Sequence, residues 1–374
     1  MSVDARAGQL PEAVDERYGK RRDLIVHESD PLNAETPRSV LAEGVLTPAE
    51  SLYMRNHGPI PAIDAGGWRL EIGGLVERPT TLSLSELRDG RFSERDQIVT
   101  LQCAGNRREG LIEVRDIPGE APWGPGATGT ARWRGVALAD VIASTKPAAE
   151  ALHVALIGRD ISAEAEPAQP FGGSIPIEKA LAGEVMLAWE MNGEPLPSVH
   201  GAPVRAVVPG YIGARSVKWI ERIELRAKPF DGYFQDVVYR LLEPDEEPGP
   251  GIGIPLGEVA LNAEILDPGD GAEVPAGVVE LRGYAFAGGE RHIVRVELSA
   301  DRGASWVQAG LQDDLGRWAW RPWRAQLELA SGEHEICVRA WDSAAASQPE
   351  HPASLWNPKG YVNNAWGRIN LRAV

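Results

Sequence analysis

Apolar and polar residues alternate in Trp68-Arg-Leu-Glu-Ile-Gly, a pattern that predicts a half-buried strand. Gln97-Ile-Val-Thr-Leu, Leu152-His-Val-Ala-Leu-Ile, Val185-Met-Leu-Ala-Trp and Val204 to Val208 are short apolar runs and predict further strands. Between them lie helical signals. Ser83-Leu-Ser-Glu86 is a capping box opening a short helix through Leu87, Val136 to Ser144 reads as a helix, and Ser174-Ile-Pro-Ile-Glu178 starts a capped helix with proline in its first turn. This interleaving predicts a mixed α/β layer domain without the regular repeat of a doubly wound sheet.

The pattern changes after Glu243. Glu-Pro-Asp-Glu-Glu-Pro-Gly-Pro-Gly is a linker by composition, and beyond it the period becomes two. Val279-Glu-Leu-Arg-Gly-Tyr, Ile293-Val-Arg-Val-Glu-Leu, Trp318-Ala-Trp-Arg-Pro-Trp and Glu335-Ile-Cys-Val-Arg-Ala-Trp are separated by Gly, Asp and Ser turns. Such strands predict an immunoglobulin-like sandwich. The expected organisation is an extended N-terminal arm over 1–45, a mixed domain over 46–245, a linker over 246–258 and the sandwich over 259–374. The fold class is therefore α+β. The polar and aromatic tail from Leu355 to Arg368 is expected to return to a partner surface. Trp306, Trp318, Trp320, Trp323 and Trp341 exceed what a small sandwich core needs, which predicts a homodimer through this domain.

Length and charge narrow the function. A chain of 374 residues can bury a sizeable core in two or three domains. The net charge of -16 argues against a nucleic-acid partner and is compatible with a basic protein partner such as a small cytochrome. Only Cys103 and Cys337 are present, far apart, so there is no disulfide framework. Lys20-Arg21-Arg22 is followed by too short an apolar stretch for an export signal, and no run approaches a membrane span of about 20 apolar residues. The expected location is the cytoplasm.

Three stretches carry candidate chemistry. Cys103 follows a predicted strand and precedes Ala-Gly-Asn and then Arg107-Arg108, where guanidinium charge favours the thiolate. Alone, a single cysteine is more often inert core. Arg55, Asn56 and His57 stand consecutively before Gly-Pro and can present three hydrogen-bonding side chains to an anion. From His200 through Arg205 to Lys218 and Trp219, a strand leads into a glycine-rich turn flanked by cations, which suits an anion although it matches neither phosphate-loop fingerprint. Cys337 lies on a sandwich strand and reads as core.

Together with Glu190-Met-Asn-Gly-Glu-Pro-Leu-Pro and Trp356 through Trp366, these stretches resemble, in order, the sulfite oxidase family of molybdopterin enzymes. The resemblance implies a molybdenum–molybdopterin cofactor with Cys103 as thiolate ligand of the metal. It implies that Asn56, His57, Asp160, His200, Arg205 and Lys218 hold the pterin, and that Arg55, Arg108, Trp123 and Tyr239 form the anion pocket. The C-terminal sandwich is implied to dimerise. The implied reaction is oxidation of sulfite to sulfate, with electrons passed to a separate acceptor since no Cys-x-x-Cys-His is present. Oxygen-atom transfer from nitrate or an organic oxide is the alternative within the class, and a non-catalytic binding module the alternative outside it. Two departures bear on substrate: Lys359 stands where the family has a pocket arginine, and Val238 where animal and plant members have aspartate before the tyrosine.

Overall fold

The computed structural model describes residues 17–374. Its N-terminal part is built on two five-stranded sheets. In the first, Glu194–Pro195, Met186–Met191, Thr128–Ala137 and Glu94–Gln102 lie side by side, and Arg205–Val207 also pairs with Met186–Met191. The second runs Thr80–Ser83, Arg69–Gly74, Ile220–Arg226, His153–Ser162, Gln169–Pro176; only the Arg69–Gly74 and Ile220–Arg226 pair is parallel. Short helices Leu138–Ser144 and Ile177–Leu181 cover them, giving a mixed layer architecture with few helices.

Several local expectations are met. Ser83 and Glu86 form the reciprocal capping box. Two helix starts are displaced. The Val136 helix begins only at Leu138, because Val136 and Ala137 still pair with Leu187 and Met186. Ser174 does not cap the next helix. It stays in the strand Gln169–Pro176, where its hydroxyl accepts from Phe230 N at 2.9 Å, and Pro176 occupies the N-cap without a side-chain bond.

From residue 17 on, the expected extended arm is folded. Ile25–Ser29 and Leu32–Glu35 form an antiparallel hairpin whose second strand is buried throughout, and Lys20 before it is 1% exposed. Leu24, Leu32, Ala34 and Met54 share a small core with Val199.

The C-terminal strands form two facing sheets. One runs Asn262–Asp267, Gly277–Phe286, Arg321–Leu329, Gly310–Leu311; the other runs Ala272–Val274, Gly367–Ala373, Gly332–Asp342, Ile293–Ser299, Val307–Gln308. Alternation is strict in Arg321–Leu329, where Trp323, Ala325, Leu327 and Leu329 point into a shared core and Arg324, Gln326 and Glu328 point out. Trp318 and Trp320 precede this strand instead of lying in it. They dock on the first sheet: Thr100 N donates to Trp318 O at 2.9 Å, Trp320 N to Thr100 Oγ1 at 2.7 Å, and Trp320 stacks on Tyr284 at 4.8 Å. Part of the tryptophan surplus is thus explained within one chain.

The seam between the two parts holds a buried charge. Glu264, 1% exposed, lies 3.1 Å from both Arg38 and Arg107. Arg107 also donates to Ala365 O and Trp366 O at 2.8 Å, while Val362 N donates to Ala104 O at 2.9 Å. The tail expected to meet a partner surface comes back to the cysteine loop of its own chain. Among the described residues no helix is long and apolar enough to cross a membrane.

Candidate active site

Strand Glu94–Gln102 delivers Cys103 to a tight turn. Cys103 N donates to Ala127 O at 2.9 Å, Asn106 N returns to Cys103 O at 3.1 Å, and Asn106 Oδ1 accepts from Ala127 N at 3.0 Å. The Gly105 N–H donates to the sulfur from 3.4 Å. A Cβ at Gly105 would meet the Arg108 guanidinium at 2.6 Å and displace it. The sulfur is nearly buried, beside Trp123 and Ala127. The N-terminal hairpin fixes Trp123: His27 packs on its ring at 4.7 Å, and Glu35 accepts from Gly124 N at 2.6 Å.

Cys103 opens into a cavity whose walls include Tyr53, Arg55, His57, Asp160, Phe171, His200, Arg205, Lys218 and Tyr239. The glycine-rich turn contributes Gly213, Ala214 and Ser216. A Cβ at Gly213 would crowd the Tyr53 hydroxyl at 2.9 Å and Gln102 O at 3.2 Å. Arg205 is anchored by His200 O and Ser216 O at 2.9 Å each. Lys218 donates to Asn56 Oδ1 and to Val199 O, and Asn56 is itself held by Asn33 and by Leu32 O.

The cavity is lined by several buried basic side chains. Among the described residues no carboxylate lies within 4.0 Å of Lys20, Arg205 or Lys218. Burial pushes Arg205 down to about 10 and Lys218 well below the usual lysine range, with Asp160 opposing the latter. Burial likewise lifts Asp160 to about 6 against the pull of Lys218. Asp160 Oδ1 is buried without a partner and can accept from a ligand N–H. Buried basic side chains without an ion-pair partner, together with an orphaned acceptor, fit a phosphate-bearing heterocycle with N–H donors, and the neighbouring sulfur fits a soft metal.

At the inner wall, the Tyr239 hydroxyl lies 2.6 Å from His57 Nε2. Burial, then the Arg55 and Lys218 charges, drives His57 well below its ordinary value, so the imidazole is neutral. Burial raises Tyr239, with Arg55 opposing, so the phenol keeps its proton. His57 stacks on Phe171 at 4.3 Å, and Tyr239 stacks on Tyr361 at 5.5 Å.

The structure therefore brings Arg55, His57, Cys103, Asp160, His200, Arg205, Lys218 and Tyr239 to one cavity, with Asn56 directly behind Lys218. Arg108, Trp123 and Lys359 sit beside it and do not line its wall. Arg108 donates to Lys359 O, Gly360 O and Ala121 O and meets Glu120 at 3.2 Å; Lys359 pairs with the same Glu120. Sequence reasoning missed Lys20, Tyr53, Glu120, Phe171 and Tyr361. Lys20, Tyr53 and Tyr361 stand in or beside stretches noted for other residues, Glu120 and Phe171 in none, and only the fold brings them to the site.

The comparisons agree with this geometry. Residues 57–234 match the oxidoreductase molybdopterin binding domain, and residues 255–374 match the Mo-co oxidoreductase dimerisation domain. The chain is 40% identical to sulfite oxidase of Gallus gallus, over 97% of this chain and 81% of that protein. It is 37% identical to the mitochondrial sulfite oxidase of Mus musculus over 94% of this chain, and spans 66% of that protein's length. The crystal structure of the sulfane dehydrogenase SoxCD from Paracoccus pantotrophus superposes with a TM-score of 0.79 at 26% identity, covering 100% of this chain and 95% of that one. With its cationic cavity, its loop cysteine and both matching domains, this chain belongs to the sulfite oxidase family of molybdopterin-binding oxidoreductases.

Proposed function

We propose that this chain oxidises sulfite to sulfate at a molybdenum–molybdopterin cofactor and passes two electrons to a separate acceptor. The observation that carries the reading is the convergence of the Cys103 sulfur, the Tyr239–His57 pair and buried unpaired cations on one cavity. Overall, sulfite and water give sulfate, two protons and two electrons.

When bound, the cofactor supplies the oxygen-atom and electron chemistry. The protein's part is positioning and electrostatics. Cys103 offers the soft thiolate ligand to the metal. Asn56, His57, His200, Arg205 and Lys218 hold the pterin and its phosphate, and Asp160 accepts an N–H from it. Arg55, whose guanidinium reaches the cavity, binds the substrate oxyanion, and Trp123 closes the pocket behind the sulfur. Arg108 and Lys359 complete the pocket only by sharing their charge between the substrate and Glu120. Tyr239, kept protonated, donates to the reacting anion, and His57 fixes its orientation.

The C-terminal sandwich reads as an immunoglobulin-like module that forms a homodimer. Its support is the dimerisation-domain match and the exposed Val278, Val294 and Val307 on its strands. The two cysteines are free and buried, in keeping with a reducing compartment and the cytoplasmic location in this reading; the mouse relative is mitochondrial by name, so cell fractionation decides. The acceptor is read as a basic redox protein such as a small cytochrome, on the net charge of -16.

The direct test is a dye-coupled assay of the purified protein with sulfite, and with nitrate under reducing conditions. Sulfite-dependent dye reduction supports the reading, whereas nitrate reduction without sulfite oxidation replaces it by the reductive alternative.

A further inference from the structure

Lys20 lies outside both matched domains, yet it is 1% exposed and touches His200, which lines the cavity. Its nitrogen donates to Ala49 O at 2.5 Å and Leu52 O at 2.7 Å, and lies 3.0 Å from His200 Nε2. An ammonium carries three protons, and these three acceptors use all of them. Burial pushes Lys20 down to about 7, with the Glu50 charge opposing, and no carboxylate among the described residues lies within 4.0 Å of it, so a nearby anion is what would hold the ammonium form. The cavity beyond His200 is where that anion can come from.

The hydrogen bond also fixes a tautomer. With Nε2 accepting from Lys20, the proton of a neutral His200 sits on Nδ1. Burial, followed by the Lys20 charge, keeps His200 well below its ordinary value, in keeping with that neutral form. His200 lines the cavity, so it can donate from Nδ1 to an anion there.

We propose that Lys20 is a positioning residue for the cofactor anion: it sets His200 as a donor and adds a buried positive charge behind it, so that the N-terminal segment forms part of the cofactor site. This rests on the reading of the cavity as a molybdopterin site. Methionine at position 20 fills the same slot without the charge, so the segment stays docked through Leu24, Leu32 and Ala34 while the anion loses its support. Lys20→Arg keeps the charge.

The test compares wild type, Lys20→Met and Lys20→Arg, purified after expression with cofactor supply. Molybdenum and oxidised pterin per chain are measured during dilution, alongside tryptic cleavage at Arg21 and Arg22. The expected result is cofactor loss about tenfold faster in Lys20→Met, smaller in Lys20→Arg, with cleavage as slow as in wild type. Wild-type retention in Lys20→Met overturns the inference, as does equal loss in both variants. Loss accompanied by fast cleavage also overturns it, because Lys20 is then only a staple for the segment. If wild type itself carries no molybdenum, the functional reading fails instead.

Discussion

The Lys359 ammonium is paired with the Glu120 carboxylate, which also takes the Arg108 guanidinium at 3.2 Å. Two cations beside the proposed substrate pocket thus share one resident anion. An incoming sulfite competes with Glu120 for them. Glu120→Gln is expected to lower the KM for sulfite about tenfold with a smaller change in kcat, read from steady-state kinetics. An unchanged or raised KM removes Glu120 from substrate recognition.

Lys359 itself differs from the arginine it replaces by lacking a planar fork for two oxygens. Lys359→Arg is expected to lower the KM for sulfite and Lys359→Ala to raise it, each by roughly tenfold. If both leave KM unchanged, Lys359 does no more than hold Glu120.

Tyr239 bonds His57 at 2.6 Å and faces the cavity, so Tyr239→Phe removes a donor without emptying volume. A fall in kcat/KM of about a hundredfold at unchanged molybdenum content is expected. A loss of molybdenum in parallel would make Tyr239 a cofactor anchor instead.

Glu264 balances Arg38 and Arg107 in the seam at 3.1 Å each. Glu264→Gln leaves two guanidiniums without their buried counter-charge and is expected to cost about 3 kcal/mol, seen as a lower urea midpoint at an unchanged m-value. Wild-type stability would show that the seam is held by its backbone bonds and packing alone.

What the sequence disclosed was chiefly what local pattern controls. Period-two strands such as Arg321–Leu329, the Ser83–Glu86 capping box and the strand before Cys103 follow from side-chain alternation and caps. Six of the cavity residues, Arg55, His57, Cys103, His200, Arg205 and Lys218, were legible because they stand in three dense polar stretches, whereas Asp160 and Tyr239 were named only through the family resemblance. Arg107 was legible as a cation but not as a clamp, because its partners Glu264, Ala365 and Trp366 lie more than 150 positions away. The contacts of Lys20 with His200 and of Glu120 with Lys359 span comparable distances in sequence and were not legible either. Ser174 misled because its serine–proline spacing copies a helix start, while tertiary contacts with Phe230 and Gln235 hold it in a strand.

The central claim, that Cys103 is the protein's ligand to a catalytic molybdenum, is tested most directly by sulfite turnover per bound molybdenum in wild type, Cys103→Ser and Cys337→Ser. Cys337 is buried in the sandwich and serves as the control. Cys103→Ser is expected to remain folded, to retain pterin and to lose turnover by at least about a hundredfold, because a hard, un-ionised hydroxyl replaces a soft thiolate. Cys337→Ser is expected to turn over normally and lose only stability. Wild-type turnover per molybdenum in Cys103→Ser would contradict the assignment.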